Sequence, residues 1–193
     1  MKTLSLWAIA LLPQADVNER TAAATLKTFA AAQVDFRSND RDGNLVNDYW
    51  AADVSGFYRI DTGVPLKLIE RSAAMADAKP CVPIDKGGPL PGAAKEHACT
   101  LIALDKPSPK AGYWFAAVEK YEDEKGASPK YNDGNGRNLS RFGFCAWPAE
   151  FGITGRLTFV ISQENTVWKK DTGGKPVEVV PAEPARSGWT KLD

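Results

Sequence analysis

Asp40, Asp42, Asn44 and Asp48 are the residues whose types and spacing come nearest to a chemistry. Oxygen donors alternating along a turn, with Gly43 to let it bend, suit calcium, which takes roughly six to eight oxygen ligands. The EF-hand pattern is not met. Counted from Asp40, Ala51 stands where the bidentate Glu belongs, and Gly43 is displaced from its place in that loop. The other reading is a polar turn that closes a helix, its Asx side chains bonding their own backbone. Asp133, Gly134, Asn135 and Gly136 form a second such group, and these are ordinary turn dipeptides.

Cys81 and Cys99 bracket a Pro/Gly-rich stretch, CVPIDKGGPLPGAAKEHAC. A disulfide between them would close a short loop, contribute roughly 3 kcal/mol through chain entropy, and imply an oxidising compartment. Unpaired thiols are the alternative. A zinc site of Cys81, His97 and Cys99 lacks a fourth ligand and the usual close cysteine pair. His97 is the single histidine, and no Gly-x-Ser-x-Gly elbow accompanies it, so it reads as a solvated loop residue. Cys145 lies inside an apolar run and reads as a buried thiol acting as a small hydrophobe. Glu119, Glu122, Asp123 and Glu124 are interspersed with Lys120 and Lys125, the pattern of an exposed strand end and loop rather than of paired catalytic carboxylates. No phosphate-binding loop and no dinucleotide fingerprint occurs. Catalysis has no candidate residue. Of the aromatics, most are needed for a core, and Trp147 and Trp168, at strand ends, are the candidates for ligand contact.

The elements that must carry these residues divide into helix first and strands later. Residues 16–38 are Ala-rich, with Ala22, Leu26, Phe29, Ala30 and Phe36 along one apolar face. Ser38, Asn39 and Asp40 compete for backbone hydrogen bonds and end the helix. A loop region follows over 39–111, with a second helix expected at 66–76. Residues 112–121 (GYWFAAVEKY), 142–147, 157–161 and 166–169 read as strands separated by Gly, Pro and Asp turns. Leu157, Phe159 and Ile161 alternate with Thr158 and Val160, as a sheet covered on one or both faces requires. Residues 175–193 read as an extended tail anchored by Trp189. Helix before strands, without βαβ alternation, predicts an α+β fold: a long N-terminal helix on a roughly four-stranded antiparallel sheet.

With 193 residues, the chain suits one domain over 16–193 preceded by a short segment, 1–15. Twenty-four basic residues balance twenty-four acidic ones, so no global field draws the chain to nucleic acid. Residues 4–12 (LSLWAIALL) are apolar but fall short of the roughly 20 residues a bilayer-spanning helix needs. They read as an export-related segment, with a poor small-x-small cleavage site at Pro13-Gln14-Ala15.

The helix AAATLKTFAAAQVDFRSNDRDGNLVNDYW, the strand GYWFAAV and the segment FGFCAWPAEFGITGRLTFVISQENTVWKKDTGG together resemble pilin-like bacterial proteins. The same C-terminal module resembles that of an uncharacterised family of exported bacterial proteins. The match spans residues 17–58 and 112–174. It implies a globular head, with a long helix against an antiparallel sheet, and a non-enzymatic subunit of a type II secretion or type IV pilus system. Its partners would be further copies or other pilin-like subunits, in the periplasm or at the cell surface. Calcium, as in some pseudopilins, would fit the Asp40 turn. The chain departs from the prepilin pattern in lacking a Gly-Phe-x-x-x-Glu site followed by a long apolar helix, so any contact with a membrane would run through such a helix. The alternative function is a soluble exported binding module of the same fold.

Overall fold

The computed structural model describes residues 7–43, 45–81, 100–131 and 138–192. Asn44, His97, Cys99 and the 133–136 turn lie outside the described residues. The N-terminal helix α1 (Trp7–Ser38) is longer than its apolar face predicts and continues back through Pro13, which removes one N–H from the hydrogen-bond ladder. Its buried seam is Ala22, Leu26, Phe29, Gln33 and Phe36, spaced alternately by four and three residues. Gln33 is the member that apolar periodicity misses. Its amide exchanges two hydrogen bonds with the Trp50 backbone, donating to the carbonyl and accepting from the N–H at 3.0 Å, so a fully buried polar group is satisfied.

Next come the short helix α2 (Gly56–Arg59), strand β1 (Ile60–Asp61), helix α3 (Arg71–Met75) and strand β2 (Thr100–Leu101), which pairs with β1. The helix expected over 66–76 is therefore only the five residues of α3, because Leu68 is drawn into a backbone bond to Phe57 instead of a helical turn. Strands β3 (Tyr113–Ala117), β5 (Gly143–Pro148), β6 (Leu157–Ser162) and β7 (Val167–Asp171) form an antiparallel meander. The expected strand over 112–121 splits, since β4 (Lys120–Tyr121) leaves the sheet to pair in parallel with β8 (Val179–Val180). The tail then returns as β9 (Thr190–Lys191) on the free edge of β7. The main sheet has five strands rather than four, in the order β3-β5-β6-β7-β9. Its β3 edge is covered by residues 76–78, which exchange backbone bonds with Phe115, and its other edge is the two-residue strand β9.

Alternation along β6 sends Phe159 and Ile161 to one face and Thr158 and Val160 to the other, and all four are buried. On the first face α1 lies mainly across β5 and β6. Phe29 meets Phe115 and Phe144 edge-on, with ring centroids at 5.3 and 5.6 Å. Each such pair is worth about 0.5–1.5 kcal/mol beyond its burial. The second face is smaller. Ala116, Val118, Cys145 and Val160 are covered by Val180 and Trp189 from the tail. The fold is α+β, with the sheet held between an N-terminal helix and a C-terminal strap.

Candidate functional site

Asp40 and Gly43 both take left-handed backbone, at φ 45° and 69°, as a tight helix-ending turn needs. The Asp40 carboxylate accepts the Leu45 N–H at 3.0 Å, and its carbonyl accepts the Gly43 N–H at 2.9 Å. Asp42 and Asp48 are buried. Among the described residues no three His, Cys, Asp or Glu side chains gather closely enough to hold a metal ion, and Asn44 of the expected calcium set lies outside the described residues. Cys81 carries a free thiol, and Cys99, its expected partner, lies outside the described residues. Cys145 is a free, buried thiol whose pKa burial pushes up to about 12.

The loop region conceals a charged cluster. Asp53, Ser55, Arg59 and Asp77 are all at least 96% buried. Asp53 accepts from Trp50 Nε1 at 3.0 Å, from the Gly56 and Cys81 N–H groups at 2.8 Å each, and from Ser55 Oγ at 2.5 Å. Asp77 accepts the Val54, Ser55 and Lys79 N–H groups at 2.8, 2.8 and 2.9 Å. Arg59 stands 3.8 Å from Asp53 and donates to Ser55 Oγ and to the carbonyls of Cys81 and Ile102. Burial, with the Asp53 charge beside it, raises the Asp77 carboxyl to about 7 against the pull of its three N–H donors. Burial and both carboxylates push the Cys81 thiol up as well, which leaves it a poor nucleophile. Every oxygen of the two acids is engaged by a backbone or side-chain donor. The cluster ties residues 50–59 to 77–81 and has no carboxylate left for a substrate.

A cleft opens instead at the strap side of the sheet. Its walls are the loop after β4, Arg141, the β6–β7 turn at Gln163 and Glu164, and Ala182 of the tail. The outer cleft holds about 440 Å³, within the range of small-ligand sites, and shares Tyr121, Glu122, Arg141 and Ala182 with an inner recess of about 50 Å³. Tyr131 stacks on Tyr121 with centroids 5.3 Å apart, and the Arg141 guanidinium lies 4.3 Å from the Tyr121 centroid. The Tyr131 hydroxyl is buried and has no hydrogen-bond partner among the described residues; burial raises its pKa, so it remains protonated. Glu122 accepts one long bond from the Ala182 N–H at 3.3 Å, while one oxygen of Asp123 accepts the Lys125 and Ala127 N–H groups of its own loop.

Of the two aromatics singled out by sequence, Trp168 lines the inner recess and is half-buried. Trp147 packs against the second-face cluster and is not part of the cleft. Sequence reasoning missed Glu122, Tyr131, Arg141 and Glu164. They come from separate segments of the chain, and no spacing rule links them.

A protein-family model described as "Protein of unknown function (DUF2950)" matches residues 14–185. No curated protein and no solved structure matches the chain. A match over that much of the sequence, from the second turn of α1 to the strap, places the chain in the DUF2950 family.

Proposed function

We propose that this is an exported, non-enzymatic subunit that acts by association through the end of the molecule where α1 enters the body, as a pilin-like head would. One observation carries the reading. Asn18 donates to the Thr154 carbonyl at 2.9 Å, and Glu19 accepts the Arg156 and Leu157 N–H groups at 2.9 and 3.2 Å, so the 149–156 turn is clamped to the helix there. Val17, Phe151 and Ile153 at that junction are 54%, 44% and 49% exposed, and the apolar residues 7–12 continue the same helix outward. An exposed apolar group at a fixed corner suits a partner surface. No described helix is long and apolar enough to cross a membrane. The spent buried acids support a role without catalysis. The test is sedimentation of the full chain beside a Phe151→Ser/Ile153→Ser variant, with immunodetection in filament and secretion-complex fractions of the native host. Self-association lost in the variant is the expected result; a monomer absent from those fractions refutes the reading.

The cleft favours a second reading, a binding module of the same fold. There the strap face rather than the helix end does the work, and the two readings place function on different surfaces.

A further inference from the structure

We draw no further inference here: the strongest candidate, the buried side-chain cluster of Asp53, Arg59 and Asp77 as a pH-sensitive latch on residues 77–81, rests on the raised Asp77 pKa alone, since both acids already have their oxygens engaged by donors.

Discussion

Replacing Asp53 with Ala should cost this protein a large part of its stability, although the residue lies in no strand and in no long helix. Asp53 is 1% exposed and holds four donors: an indole N–H, a hydroxyl and two backbone N–H groups. A hydrogen bond to a charged group contributes about 1.5–3 kcal/mol. Four taken at face value would exceed what one substitution can remove, since water and neighbours compensate in part. The better guide is the loss of one member of a buried ionic pair, about 3–5 kcal/mol, because Arg59 is left at 4% exposure without its carboxylate. For a chain of this length about 2–4 °C is lost per kcal/mol, so the melting temperature should fall by roughly 6–20 °C. Thermal melts followed by circular dichroism measure this, with urea unfolding as the check on cooperativity. Asp105→Ala is the control: its pair with Arg71 is exposed on both sides and should be close to neutral. The double variant Asp53→Ala/Arg59→Met should recover part of the loss, because it removes the stranded charge. A fall of less than about 3 °C for Asp53→Ala, no larger than the control's, would refute the account of the cluster as the clamp of this region.

The raised Asp77 carboxyl predicts a pH dependence. Its folded value of about 7 lies above the ordinary 3.8, so between the two the folded chain holds a proton that the unfolded chain has lost. The contribution of this residue is present at low pH and is lost as pH rises through 7; urea midpoints between pH 4 and 8 should show the slope, and Asp77→Asn should flatten it. Identical slopes would mean another group is responsible. At Gly155 a Cβ would stand 2.1 Å from the Tyr113 hydroxyl, which donates to the Leu157 carbonyl at 3.0 Å. Gly155→Ala should therefore destabilise by about 1–3 kcal/mol through overpacking, and Gly155→Ala/Tyr113→Phe should lose less; equal losses would place the strain elsewhere. Phe29→Ala, at the centre of the helix–sheet contact, should cost about 3–5 kcal/mol in chemical denaturation. A loss below about 1 kcal/mol would mean the helix is not part of the core.

The sheet was legible because its strands follow the period-two rule and are bounded by turn residues, so β5, β6 and β7 fall within a residue or two of their expected limits. The fifth strand was not, since Thr190 and Lys191 carry no alternation and are recruited by backbone pairing to Trp168 and Lys169. The loop region misled for the opposite reason. Charge ordinarily stays in water, so nothing in the sequence marks Asp53, Arg59 and Asp77 as core, yet each is buried where partners satisfy it. The Asp40 turn has the composition of an ion site, and its composition does not reveal the bond by which the Asp40 carboxylate accepts the Leu45 N–H. The cleft was invisible in principle. It belongs to the closure of the tail, a long-range event for which local sequence carries no mark.

The strap makes Cys145 a timer. Its thiol sits on the second face of the sheet, under the cover that Val180 and Trp189 supply, with its sulfur 3.7 Å from the Val177 carbonyl. Until residues 177–189 fold back onto the second face, this thiol is open to reagent. A pulse of alkylating agent would therefore mark chains whose strap has not yet closed and spare those in which it has. The thiol thus reports whether the strap is closed.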